Sequence, residues 1–156
     1  MPKLHISWQR LGRSLVLIQL AIAIAVPSSA KEQTVEELKA RLSSTEVPDR
    51  PRLCLEIAEK QLASASKLFS DAEPDKAQEA LTDVVAFSEL ARDYSVQSRK
   101  HEKQTEIAVR TMIRKLGDLK HMIAHEDQVA VQNAIDRLQR VRDDLLQAMF
   151  PHAKPK

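Results

Sequence analysis

The stretch "SVQSRKHEKQT", residues 95–105, decides between two folds for this 156-residue chain. The helical apolar pattern on either side would place Ser95, Ser98, Glu102 and Thr105 on the core face here, yet all four are polar. The stretch has neither Gly nor Pro, and most of its residues are good helix formers. We therefore expect packing to stop at this point while the helix itself continues.

Two architectures follow from this stretch. If it is helical, residues 75–123 form one long central helix of roughly 73 Å with flanking antiparallel helices. If the chain folds back within residues 95–100, the four long helices make a four-helix bundle. The absence of helix breakers favours the continuous helix. Either way the fold class is all-α: antiparallel helical hairpins in series, plus a short N-terminal helix.

The flanking segments carry apolar residues at spacings of three and four, which is typical of amphipathic helices. A second helix is predicted from about Pro51 to Phe69, and a third begins at Pro74, since proline suits the first helical position. Thr34 and Glu37 form the pattern of a capping box, which predicts the start of the short first helix. The last helix is predicted over residues 127–149, with this stripe: Val131, Ala134, Leu138, Val141, Leu145 and Ala148.

Two pairs of segments resemble each other. "LEIAEKQL", residues 55–62, is similar to "TEIAVRTM", residues 105–112, at an offset of 50. "AQEALTDV", residues 77–84, is similar to "VQNAIDRL", residues 131–138, at an offset of 54. Amphipathic helices share Ala, Leu and Glu in any case, so the sequence leaves open both duplication and shared helical composition.

The N-terminal region has the order of a secretory signal peptide. Bases without acids precede an apolar run from Leu15 to Val26, and Pro27 and the small residues Ser28–Ala30 follow. The run is too short for the roughly 20 residues that a bilayer requires. We therefore predict cleavage after Ala30, a periplasmic or secreted location, and no stable membrane span after cleavage. The predicted organisation is a signal peptide over 1–30, a helical domain over 31–150 and a disordered basic tail over 151–156.

Charge and glycine content exclude several classes of protein. Three bases and no acid lie before the cleavage point, so the net charge changes from +2 to −1. No basic field remains that would attract phosphate, and we expect no nucleic-acid partner. Gly117 is the one glycine after the cleavage point, whereas strand hairpins and oxyanion loops depend on residues at positive φ. This scarcity supports an all-α fold and argues against an enzyme.

The residues that could carry chemistry are few. His121 and His125 are four apart, so on a helix they would share a face and could bind a metal, with Glu126 and Asp127 close by. Alternatively both histidines lie in the last turn of a helix, where a cation suits the helix dipole. Cys54 lies on an apolar stripe, which predicts a buried thiol, the alternative being an intermolecular disulfide.

These observations favour a secreted or periplasmic, non-enzymatic helical protein that acts as a binding, scaffold or chaperone-like module. We expect it to use no cofactor and to bind a protein partner, or itself, through apolar helix stripes. The alternative is a metal-binding or metal-sensing helical protein that uses His121 and His125. No nucleophile with its base is recognisable, so no catalytic residue is predicted.

Overall fold

A computed structural model describes residues 33–151, and this part of the chain contains five α-helices and no strand. The helices are α1 (Val35–Ser44), α2 (Arg50–Ser70), α3 (Pro74–Ser98), α4 (Glu102–Met122) and α5 (Gln128–Met149). Short 3₁₀ turns at Val47–Asp49 and His125–Asp127 precede α2 and α5. The all-α prediction is confirmed. The predicted signal peptide and residues 152–156 of the predicted tail lie outside the described residues.

Local chemistry explains where the helices begin. The Thr34 hydroxyl accepts a hydrogen bond from the backbone N–H of Glu37 at 3.2 Å, and the Glu37 carboxylate accepts one from the Thr34 N–H at 3.1 Å. This is the capping box that the sequence predicts for α1. Pro74 is the first residue of α3, where the missing N–H costs nothing because that group has no partner within the helix.

The long continuous helix expected over residues 75–123 is not observed. Helix α3 ends at Ser98 and α4 begins at Glu102, and between them Arg99 and His101 adopt left-handed conformations with φ of 54° and 66°. The Lys100 N–H donates to the Ser95 carbonyl at 3.2 Å and the Arg99 N–H donates to the Val96 carbonyl at 3.4 Å. These two bonds form a Schellman motif, which usually places glycine at the left-handed position.

Buried polar side chains explain this break. Ser95 and Thr105 are both fully buried, and a hydrogen bond of 2.8 Å joins their hydroxyls. In a straight helix, ten residues would separate these side chains by about 15 Å, so the bond requires the chain to reverse. Packing therefore does not stop at this polar stretch. The two hydroxyls satisfy each other inside the fold, which avoids the cost of a buried unpaired polar group.

The helices pack around one main core. Helix α2 contacts α3, α4 contacts α5, and α3 also packs on α5. Helix α1 lies on α2, where its buried Leu38 joins Leu53 and Ile57 in a smaller cluster. Within residues 33–151, no helix combines the length and apolar character that a membrane span requires.

Burial in the two helical pairs follows one register. Many buried positions of α2 and α3 recur 54 residues later in α4 and α5, which is one helical turn more than the offset of 50 suggested by the first sequence match. Residues of α2 and α3 are often smaller than their counterparts. Examples of buried pairs are Leu55 and Val109, Ala58 and Met112, Leu62 and Leu116, Ala65 and Leu119, Ala77 and Val131, and Ala91 and Leu145.

Candidate functional site

One feature available to a ligand is a cleft of about 400 Å³ between two helix connections. One wall comes from the end of α2 and the turn into α3, and the other from the end of α4 and the turn into α5. A volume of this size fits a large side chain or a short peptide segment. We call this feature the end cleft.

The interior of the end cleft is mainly apolar. Phe69 and Pro74 contribute from the α2–α3 side, and Leu119, Met122 and Ile123 contribute from the α4–α5 side. Leu119 is 4% exposed and belongs to the core, whereas Met122 is 73% exposed. Methionine is flexible and polarisable, so it adapts to ligands of different shape. The cleft therefore extends the hydrophobic core outward to a solvent-accessible apolar surface.

The α2–α3 wall is shaped by a Schellman motif. The Glu73 N–H donates to the Leu68 carbonyl at 2.9 Å and the Ala72 N–H donates to the Phe69 carbonyl at 3.2 Å. Ala72 takes the left-handed position with φ of 59°. The chain thus connects α2 to α3 within three residues, and Pro74 and Phe69 border the same space.

The α4–α5 wall supplies acidic groups. The 3₁₀ turn is closed by the Asp127 N–H, which donates to the Ala124 carbonyl at 3.1 Å. Glu126 and Asp127 line the end cleft, and neither carboxylate forms an ion pair within the described residues. Among residues 33–151, the rim of this cleft therefore carries two carboxylates without a basic partner.

The acids on the opposite wall are paired. Asp71 forms a salt bridge with Lys67, and Glu73 forms one with Lys76. These pairs are exposed and contribute little to stability, but they neutralise charge beside the cleft. The net negative character of the rim thus comes from Glu126 and Asp127.

The two histidines predicted as metal ligands lie near this end cleft but not on one helix. His121 lies in the last turn of α4, and His125 begins the following 3₁₀ turn, because α4 ends at Met122. Both side chains are exposed. Within residues 33–151, no three His, Cys, Asp or Glu side chains are grouped as a metal site would require. Metal binding stays a prediction, which calorimetric titration of zinc into wild type and His125→Ala would test.

The opposite end of the helices is closed by polar contacts. There the Glu106 carboxylate, in a residue only 7% exposed, accepts a hydrogen bond from Arg142 Nε at 3.0 Å and lies 3.7 Å from Arg110 Nε. Together with the Ser95–Thr105 bond, this contact links α3, α4 and α5. We call this region the closed end.

Cys54 is buried, as its apolar stripe predicts. The side chain is 0% exposed, and burial raises the pKa of its thiol to about 12. A protonated, inaccessible thiol is a poor nucleophile. This environment does not suit the alternative of an intermolecular disulfide through Cys54.

Sequence reasoning did not identify the end cleft. The apolar pattern marks Phe69, Leu119 and Ile123 as helix-face residues, but it cannot show that two turns remain apart. The available signal was Met122, an apolar residue beside the stripe and next to a predicted turn.

Comparisons of the chain with protein-family models, curated proteins and solved structures find no match.

Proposed function

We propose that this protein is a non-enzymatic binding module that acts outside the cytoplasm and holds an apolar group of a protein partner in the end cleft. The observation that carries the proposal is the highly exposed Met122 in a cleft of about 400 Å³ whose other apolar walls are Phe69, Pro74, Leu119 and Ile123. The free energy of the system falls when a ligand removes an apolar surface of this kind from water.

The rim supports a preference for partners with positive charge. Glu126 and Asp127 would attract a cationic group placed beside the apolar one, and they would repel acidic partners. Charge of this kind contributes mainly to the rate of association and to specificity. The partner class is therefore an extended or helical peptide segment that combines an apolar anchor with basic residues.

The proposed function includes a specific arrangement of the helices. We propose that α2–α3 and α4–α5 are antiparallel hairpins of one four-helix bundle, with α1 on the outside. Short connections support antiparallel neighbours, because three residues separate α2 from α3 and five separate α4 from α5. The end cleft is then the mouth of the bundle between two hairpin turns.

Binding of an uncharged apolar dye tests the proposal. We expect N-phenyl-1-naphthylamine to bind residues 31–156 with increased fluorescence that saturates at one dye per chain. Met122→Asp should weaken binding at least about fivefold, because the dye would lose apolar contact and meet a third negative charge.

A matched control lies at the closed end. Ile107 is 42% exposed and is absent from the cleft lining, so Ile107→Asp should leave dye affinity unchanged. Circular dichroism of both variants would establish that each is folded. Equal dye affinity in Met122→Asp and wild type would contradict the proposed site.

A further inference from the structure

The C-terminal segment of the chain has a composition that complements the end cleft. Phe150 follows the last residue of α5 and is 58% exposed. The segment "FPHAKPK", residues 150–156, continues with Lys154 and Lys156 and contains no acid. An exposed aromatic ring followed by two ammonium groups matches an apolar cleft with two unpaired carboxylates on its rim.

Two prolines add to this match. Proline fixes one backbone dihedral angle, and the segment contains Pro151 and Pro155. A restricted segment loses less conformational entropy when it binds, so more of the contact free energy appears as affinity. The segment is therefore suited to insertion into a groove on a folded surface.

This segment cannot occupy the cleft of its own chain. The 22 residues of α5 separate Phe150 from the cleft by about 33 Å, since Gln128 follows directly after the cleft residue Asp127. Residues 150–156 span at most about 25 Å when fully extended. An occupied cleft would therefore hold this segment from a different copy of the chain.

The two ends of the molecule also differ in charge. Arg92 of α3 pairs with Asp144 of α5 at 2.7 Å, which places the end of α5 beside the α3–α4 connection. That connection carries Arg99 and Lys100, both exposed, and the sequence after Phe150 adds Lys154 and Lys156. The connection beside the end of α5 therefore carries two exposed bases, and the rim of the cleft carries two acids.

We propose that residues 150–156 of one copy insert into the end cleft of a second copy, with Phe150 against Met122 and the lysines near Glu126 and Asp127. This inference rests on the proposed function of the cleft. The contact joins different surfaces of the two copies, so it is heterologous and extends head to tail. The interface is small, and the association depends on protein concentration and weakens with salt.

Sedimentation velocity of residues 31–156 tests this association, with concentrations from about 5 to 500 µM to cover a weak interaction. The average mass of wild type should rise with concentration. Phe150→Ala should reduce the association constant at least about tenfold, because the anchor is lost. Ile107→Ala, which truncates another exposed apolar side chain at the same end, is the matched control and should associate as wild type does.

Exchange of the charges on the segment and the cleft rim provides a more specific test. Lys154→Glu/Lys156→Glu reverses the charge of the segment, and Glu126→Lys/Asp127→Lys reverses the charge of the cleft rim. Each double variant alone should therefore stay monomeric. An equimolar mixture of the two should associate again, because each reversed segment then meets a rim of opposite charge. Failure of the mixture to associate would overturn the proposal.

The dye experiment separates the two proposals. If wild type stays monomeric at every concentration while the dye binds in a manner that depends on Met122, the cleft binds another partner and the insertion proposal is wrong. If wild type associates with equal strength in all variants, the contact lies elsewhere, and the insertion proposal is again overturned.

Discussion

The two ends of this helical protein differ in the side chains that lie between the helices. At the closed end, the Ser95–Thr105 hydrogen bond and the Glu106–Arg142 contact join neighbouring helices. At the end cleft, apolar side chains line about 400 Å³ that no helix fills. Polar groups close the first end because buried polar atoms require partners with specific geometry. Apolar groups have no such requirement, so the second end can stay open.

The connections account for part of this difference. The α3–α4 connection has three residues and brings two hydroxyls into contact immediately behind it. The α4–α5 connection has five residues and includes a 3₁₀ turn that carries Glu126 and Asp127 along the cleft. We infer that stability is concentrated at the closed end and binding at the end cleft.

Cys54 should be strongly protected in the folded protein, because its side chain has no solvent exposure. We expect a disulfide reagent to label it at least about a thousandfold more slowly in native protein than in urea, since labelling requires unfolding. The rate of thiol release at pH 8 measures this. Labelling at comparable rates in both conditions would show that this part of the core is open.

The raised pKa of Cys54 also gives a pH dependence. Burial disfavours the thiolate, so the folded pKa of about 12 lies above the ordinary value of 9.0. The contribution of the neutral thiol to stability is full below about pH 9 and decreases as pH rises toward 12. Urea midpoints of wild type and Cys54→Ala should therefore converge as pH increases through this range.

Arg142→Met should destabilise the closed end. The Glu106 side chain is only 10% exposed, so loss of its closest cation leaves a poorly solvated carboxylate. We expect a decrease of about 2–3 kcal/mol in the free energy of unfolding, measured by urea denaturation. Adding Glu106→Gln to the Arg142→Met variant should recover part of the lost free energy of unfolding. Arg110→Met, at a residue whose side chain is 60% exposed, is the control and should have a smaller effect.

Thr105→Val should cost about 1–2 kcal/mol, because the buried Ser95 hydroxyl loses the partner that it contacts at 2.8 Å. The double variant Ser95→Ala/Thr105→Val should be less destabilised than the sum of the single variants, since no polar group is then left unpaired. Urea denaturation of the four proteins gives the coupling energy. Strict additivity would mean that the hydroxyls do not interact.

Glycine should stabilise both turns by similar small amounts. Ala72 near the cleft and Arg99 near the closed end both hold left-handed conformations that glycine adopts without strain. We expect Ala72→Gly and Arg99→Gly each to raise the free energy of unfolding by about 0.5–1 kcal/mol. Thermal and urea denaturation measure this. Destabilisation by either change would indicate that the turn has a different backbone conformation.

The sequence predicts the helices well because their signals are local. Thr34 and Glu37 cap α1, Pro74 begins α3, and apolar spacing identifies α5. The prediction of a continuous helix fails at residues 99–101, because arginine and histidine rather than glycine adopt the left-handed conformations that end it. The gain that offsets their left-handed conformations is the contact between Ser95 and Thr105, which exists only once the chain has folded back.

The candidate site was less predictable for the same reason. His121 and His125 stand out in the sequence, but the end of α4 at Met122 separates them onto different elements. The end cleft arises from the separation of two turns that are about 50 residues apart in the chain, and no local pattern encodes that separation. What the sequence does contain is the chemistry of the lining.

The division between the two ends is tested most directly by two-dimensional NMR of ¹⁵N-labelled residues 31–156 during titration with N-phenyl-1-naphthylamine. We expect amide shifts to change within residues 66–74 and 119–127 and to stay constant within residues 95–106. Shifts that change mainly at residues 95–106, or equally along all helices, would contradict it.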